Sequence, residues 1–171
     1  MAKEIDIAKT KEGYLKFVEE HKNIVLSMVN EEGRPFASCA PFVKKDGKIY
    51  VYVSQIAEHY RHLESNEWVD AMIIADESST QNPFATERAR WGCQPKNIGN
   101  EGHEEIFGLF NERFNPKLVE VLRGLDFSLF ELTPTQGRYV VGFGLAFDTD
   151  IDGDVFTHVV VDKEKKAGVT A

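Results

Sequence analysis

Apolar and polar positions alternate along most of this chain, and stretches of helical period interrupt the alternation. Tyr14, Leu15, Phe17 and Val18 form an apolar stripe that predicts a helix over residues 9–22. Residues 24–30 and 34–43 carry strand alternation on either side of the turn Glu31-Glu32-Gly33. Asp46-Gly47 predicts a tight hairpin, because this dipeptide accepts the positive φ angles of primed turns. Residues 48–54 then form the third strand of a meander. A helix is expected over 56–65, with Ile56, Tyr60 and Leu63 on its inner face, followed by a buried strand over 69–75.

Residues 76–83 read as a polar loop and 84–93 as another strand, while the polar, Gly-rich run 96–102 reads as a flexible connection. Ile106, Leu109, Phe110 and Phe114 predict a helix over 104–114. Pro116 suits the first turn of a second helix over 116–123. Strands over 127–132, 138–147 and 155–161 complete the pattern, ahead of a charged, frayed tail over 163–171. About eight strands joined mostly by hairpins make a largely antiparallel sheet, closed or nearly closed. The fold class is therefore α+β, a single domain over 1–171 built on a β-barrel, with a helical insertion at about 95–123.

The 171 residues suit one domain, and 42% hydrophobic with 28% charged residues is the balance of a globular chain. A formal charge of −8 argues against nucleic acid and anionic membranes as partners. No apolar run approaches a membrane span, and the polar start (Met1 to Lys11) lacks a signal-peptide core, so the expected location is cytoplasmic. Cys39 and Cys93 are the two cysteines; without CxxC spacing they indicate neither a disulfide framework nor a zinc site.

The chemistry concentrates where the third strand ends at Ser54 and a helix begins. Ser54, His59 and Arg61 bring together a hydroxyl, an imidazole and a guanidinium beside unpaired backbone N–H groups, a setting for a phosphate. The alternative is a plain N-cap at Ser54 with His59 and Arg61 on a solvated face. The acidic run from Asp148 to Asp154 imitates half a calcium loop, but Val159 stands where the twelfth-position carboxylate belongs, so a hairpin turn is expected. His21, His59, His62, His103 and His158 show no metal spacing. Gly142-Phe143-Gly144 lacks a dinucleotide fingerprint and marks a bulge or a close approach. Trp91 and Arg88 on one strand could stack on and pair with a ligand, or Trp91 could be a core aromatic.

Gly33-Arg34-Pro35, Ser38 and Ala40-Pro41-Phe42, followed by Ser54, Ile56-Ala57, His59, His62-Leu63-Glu64 and Asn66, resemble the split-barrel flavoproteins related to pyridoxamine-phosphate oxidase. The run through Asp126-Phe127, Leu129-Phe130, Leu132, Pro134, Gly137, Val140, Gly142-Phe143-Gly144 and Ala146 resembles the haem-utilisation (HugZ/HutZ-type) branch. Phe84-Ala85, Arg88 and the insertion at 95–123 fit the same branch. The resemblance spans about residues 20–161.

It implies a homodimer of split β-barrels with peripheral helices and cofactor sites at the interface. In flavin-binding relatives the FMN phosphate is held at the segment matching Ser54, His59 and Arg61. The site is also lined by the strand matching Ser38, Cys39 and Ala40, by the end of the preceding strand at Val53, and by the strand carrying Arg88 and Trp91. In haem-degrading relatives a tail histidine ligates iron and an aspartate at the position of Asp126 supports reactivity. Here no histidine follows His158, so His158 or His62 would have to ligate haem iron, and haem oxygenase activity is not expected. Ser38 stands where the oxidase carries arginine, so pyridoxamine-phosphate oxidation is not expected either. The sequence reading is thus an FMN-dependent oxidoreductase acting on a small molecule; its alternative is a haem-binding or haem-degrading protein, or a haem carrier.

Overall fold

The computed structural model describes residues 5–160. Helix α1 (Ile7–Glu20) starts at Asp6, whose carboxylate accepts the Lys9 N–H at 3.0 Å. It buries Tyr14, Phe17 and Val18 against the sheet. Strands β1 (Asn23–Val29), β2 (Pro35–Lys45) and β3 (Lys48–Ser54) form the expected meander. Asp46 (φ 49°) and Gly47 (φ 73°) both take the left-handed conformation that the β2–β3 turn requires. Helix α2 (Glu58–Ser65), strand β4 (Val69–Ile74) and strand β5 (Arg88–Asn97) follow, with short 3₁₀ turns at Glu77–Ser79 and Pro83–Ala85. Helices α3 (Glu104–Arg113) and α4 (Pro116–Arg123) lead into β6 (Phe127–Gly142), β7 (Leu145–Thr149) and β8 (Phe156–His158).

All strand pairings are antiparallel, in the order β3-β2-β1-β4-β5-β6-β7-β8, and β3 also pairs with β6. That last pairing closes β1 to β6 into a barrel and leaves β7 and β8 as an extension. Four α-helices lie around it, giving the α+β split-barrel architecture expected. No helix among the described residues is long and apolar enough to cross a membrane.

The last strands are cut differently from the sequence reading. Residues 127–142 run as one strand, because the apparent breakers Pro134 and Gly137 sit at a bulge where the β5–β6 register shifts between Trp91 and Cys93. Gly142 ends β6 at the expected bulge, where the β6–β7 register shifts between Val140 and Gly142, and Phe143 and Gly144 (φ 69°) make the turn into β7. The expected strand over 84–93 begins only at Arg88, and its far end runs on to Asn97 inside the supposed flexible connection. The charged tail expected over 163–171 lies outside the described residues.

Two apolar clusters share strand β3. Ile49, Val51 and Val53 point into the barrel with Leu26, Phe42, Trp91, Phe130 and Tyr139. Tyr50 and Tyr52 point outward, yet Ile106, Phe107 and Phe110 of α3 and Val119 of α4 cover them. The insertion thus roofs the outer face of β3, which is why this strand is apolar on both faces. Its last residue, Ser54, emerges at the edge of that roof.

Candidate functional site at the end of strand β3

The chain leaves β3 in a tight turn before α2 begins. The Gln55 N–H donates to the Asp126 carbonyl at 2.9 Å, and the Ala57 N–H donates to the Ser54 carbonyl at 3.1 Å. Helix α2 therefore starts at Glu58, and Ala57 occupies the cap position with no side-chain hydrogen bond. Ser54 is not the N-cap, and Ile56 is 90% exposed instead of facing the core. Both corrections have one cause: residues 55–57 are spent on the turn.

Two polar pairs line this corner. The Ser54 hydroxyl donates to an Asp126 carboxylate oxygen at 3.0 Å, while its oxygen takes a longer contact from the Ile56 N–H at 3.4 Å. His59 Nδ1 lies 3.2 Å from the Ser38 hydroxyl. Burial disfavours the imidazolium and lowers the His59 pKa from its ordinary value, so the ring is neutral at neutral pH. Asp126 is the residue whose place here local pattern does not show; it stands 72 residues from Ser54 and arrives through the β3–β6 pairing of Ser54 with Phe127.

The other site candidates divide by strand face. Phe36, Ser38, Ala40 and Phe42 share the inward side of β2, and Ala40 is buried in the core. Cys39 points to the opposite, exposed side. Val53 and Trp91 are 2% and 1% exposed, and their side chains pack in the barrel interior. Trp91 is the core aromatic of the two options read from sequence. Arg88 is half-buried and donates to the Thr86 carbonyl at 2.9 Å. Arg61 is exposed and has no ion pair among the described residues.

The two imidazoles considered for iron differ sharply. His62 is 5% exposed, packs edge-on to Phe36 with ring centroids 4.6 Å apart, and leaves Nδ1 without a partner among the described residues. His158 is half-buried on β8, with Nε2 3.4 Å from the Gly144 carbonyl and the ring beside Phe147. No cluster of three metal-binding side chains occurs among the described residues. The acidic run closes the β7–β8 loop: the Asp150 carboxylate accepts the Asp154 N–H at 2.8 Å, and Asp152 pairs with Lys44 at 2.5 Å. Cys93 is buried, which pushes its thiol up to about 12 and leaves it unreactive.

The donor set can be tested against the two cofactors. A flavin phosphate at this corner would meet the Asp126 carboxylate and Glu58 in the first turn of α2, and the Ser54 hydroxyl is already committed. Arg61 on α2 is the cation near this corner, whereas Arg88 pairs with Val140, at the far end of β6 from Phe127. This is a poor phosphate cradle. Haem iron asks for an imidazole nitrogen; His59 supplies one at this corner, and His158 is half-buried on β8, beyond the Tyr139 end of β6.

The outer face of β1, β2 and β4 mixes apolar residues with Ser27 and Asp70. Val25 of β1 lies between Cys39 of β2 and Met72 of β4, and Val29 stands opposite Pro35. Val29 and Ile74 are exposed, and the Asp70–Arg90 pair at 2.7 Å borders the face.

Comparison with known proteins places this geometry. The family described as pyridoxamine 5'-phosphate oxidase matches residues 10–141, well over half of the chain. The protein named heme oxygenase HutZ from Vibrio cholerae is 35% identical over 151 residues, covering 84% of each chain. The solved structure of HutZ from Vibrio cholerae, described as a heme storage protein, superimposes with a TM-score of 0.72 at 31% identity, covering 77% of this chain and 96% of that one. ChuZ from Campylobacter jejuni gives a TM-score of 0.81 at 25% identity, covering 91% of this chain and 64% of its own. The chain therefore belongs to the pyridoxamine 5'-phosphate oxidase family and, within that split-barrel superfamily, to its HutZ-type haem-utilisation branch.

Proposed function

We propose that this protein binds haem in the service of haem utilisation, as a homodimer whose cofactor sites lie where the Ser54 corner meets the second copy. One observation carries the choice of haem over FMN. The carboxylate of Asp126 takes the Ser54 hydroxyl at 3.0 Å, where a flavin phosphate would have to sit. The 35% identity to a protein named for haem oxygenase supports the same choice. Dimer formation is supported by Val25, Val29, Cys39 and Met72 on the outer face, which a second copy of the same face would cover.

Haem, when bound, supplies the redox-active iron; the chain supplies the donors and the shape. Of the two imidazoles named from sequence, His158 is the accessible one, and we assign it as the iron donor. His62 is held inside the protomer against Phe36. Haemin titration should then give a Soret band that shifts or broadens in His158→Ala and persists in His62→Ala. A spectrum indifferent to His158→Ala would remove the assignment.

The FMN-dependent oxidoreductase reading rests on family membership and on Arg61 at the corner. Titration of the purified protein with FMN and with haemin in parallel, followed by gel filtration, decides between the two. Co-elution of haem without flavin is the expected result; co-elution of flavin without haem would overturn the proposal. A reductant added to the haem-loaded protein then separates enzyme from carrier. Loss of the Soret band with release of iron marks degradation, and an unchanged spectrum marks carriage.

A further inference from the structure

A groove of about 780 Å³ lies away from the Ser54 corner, between α1 and the β6–β7 hairpin. Its volume falls in the range of about 300–1,000 Å³ typical of sites for small organic ligands. Phe17, Val141 and Leu145 form apolar walls. A smaller cavity of about 250 Å³, formed by the β4–β5 loop, adjoins it, and Glu87 and Val141 line both. Glu87 therefore stands at the junction of an apolar space and a polar one.

The charges around Glu87 leave it alone. The four that α1 contributes to the groove, Asp6, Lys9, Lys16 and Glu20, sum to zero, and Lys16 pairs with Glu20 at 3.6 Å. Glu87 is half-buried and has no ion pair among the described residues. A carboxylate set beside apolar walls is costly until a positive partner meets it. The hydroxyls nearby are already turned away as donors. Tyr139 gives its proton to one oxygen of Glu87, and Ser79 and Thr80 give theirs to the Asp76 carbonyl at 2.8 and 2.9 Å. Each of these hydroxyls has only lone pairs left for a ligand. The Gln81 and Asn82 amides beside them add no charge. A negative charge ringed by acceptors repels a carboxylate and suits an ammonium, which brings three N–H donors and a positive charge.

Gly13 supplies a second, independent observation. It lies in the middle of α1, where glycine is the costliest ordinary residue after proline. Neither backbone nor packing asks for it there. Its φ is not positive, and a Cβ added at Gly13 would meet no atom within 4 Å. What the missing side chain does leave is open space, since Gly13 lines the cavity.

We infer that this groove is a second ligand site, kept open by Gly13, for a primary amine with an apolar, ring-sized body. The ammonium pairs with the free oxygen of Glu87 and donates toward Ser79 and Thr80. The body lies along Phe17, Val141 and Leu145. Neither the site nor its ligand class depends on the haem reading above.

The test titrates 2-phenylethylamine into the full chain by calorimetry at neutral pH, with 3-phenylpropionate, a similar body carrying a carboxylate, as the opposite probe. Wild-type protein should bind the amine saturably, one per chain, and leave the carboxylate unbound. Glu87→Gln keeps an acceptor for Tyr139 and removes the charge, so amine affinity should fall on the order of tenfold, the worth of one charge-assisted contact. Gly13→Leu fills the groove while raising helix propensity. Amine binding should disappear there while the thermal midpoint holds or rises and haemin uptake matches wild type. Lys9→Ala should bind the amine at least as well as wild type. Equal affinity for the two probes, unchanged amine affinity in Glu87→Gln, or no saturable binding to wild type would overturn the inference. So would binding that emerges only in Lys9→Ala, since the Lys9 ammonium would then be the occupant of the subsite.

Discussion

The barrel interior around Trp91 and the corner around Ser54 treat polar groups in opposite ways. In the interior, Trp91 is 1% exposed and its indole N–H has no partner among the described residues, while Tyr14 packs beside it at 6.4 Å between ring centroids. Apolar packing sets the position of the ring, and the unpaired N–H is the cost of putting an indole there. At the corner, Ser54, Asp126, Ser38 and His59 are all partnered and all at least partly open to solvent. Packing contributes little to holding them; hydrogen bonds place them. The contrast teaches that an aromatic able to stack on a ligand need not belong to a ligand site. Trp91 answers to the fold, and the four polar residues are the ones proposed to meet a ligand.

Trp91→Ala is the strongest way to break this contrast. Emptying a buried indole site costs about 3–5 kcal/mol, a large part of the stability of one domain. Chemical denaturation should show the loss, and haemin affinity of the folded fraction should stay near wild type. A large drop in affinity at unchanged stability would return Trp91 to the ligand site.

Gly137→Ala probes the same region from the facing strand. A Cβ at Gly137 would come within 2.3 Å of both the Arg90 carbonyl oxygen and Trp91 Cδ1. Backbone stands on one side and a close-packed ring on the other, so the strand itself must shift. Overpacking of this kind costs about 1–3 kcal/mol. A melting temperature equal to wild type would show that the β5–β6 bulge absorbs the methyl group freely.

Asp126→Asn acts on the corner alone. Asp126 is exposed, so its loss of charge should change stability by about 1 kcal/mol or less. Ligand choice should respond more, because the carboxylate that repels a phosphate is gone. FMN fluorescence quenching should strengthen in Asp126→Asn relative to wild type; equal quenching would mean that the carboxylate does not guard the corner.

The same contrast explains which parts of the molecule could be read from the chain. Strand alternation and the Asp46-Gly47 turn are local signals, and β1 to β3 run within a residue or two of their expected ends. The Ser54 turn was visible as a junction, but its three-residue cost was not, so Ile56 was placed inward. The continuity of β6 was hidden because Pro134 and Gly137 are breakers by local rule and become acceptable only at a bulge against β5. Asp126 could be named only through family resemblance, since its contact with Ser54 depends on strand pairing across 72 residues. Inward Trp91 was implied by its two-residue spacing from Ala89 and Cys93, all three of them buried, but that spacing does not say which face of β5 meets the core.

The smallest effect tests whether the corner is built to keep His59 neutral. Burial lowers the His59 pKa below its ordinary value of 6.5. As pH falls, the unfolded chain therefore takes up this proton before the folded one does, and folding loses stability over that interval. The contribution is fully present above pH 6.5, declines as pH falls through the lowered folded value, and is lost below it. His59→Asn removes the titration and keeps a polar partner for Ser38. Thermal midpoints measured from about pH 8 down to about pH 5 should fall less steeply below pH 6.5 in the variant than in wild type. Parallel curves would mean that the ring takes up its proton as readily in the fold as in water. The corner would then have no means of presenting a neutral imidazole to a ligand under mildly acid conditions, and its difference from an ordinary solvated helix start would reduce to the single pair between Ser54 and Asp126.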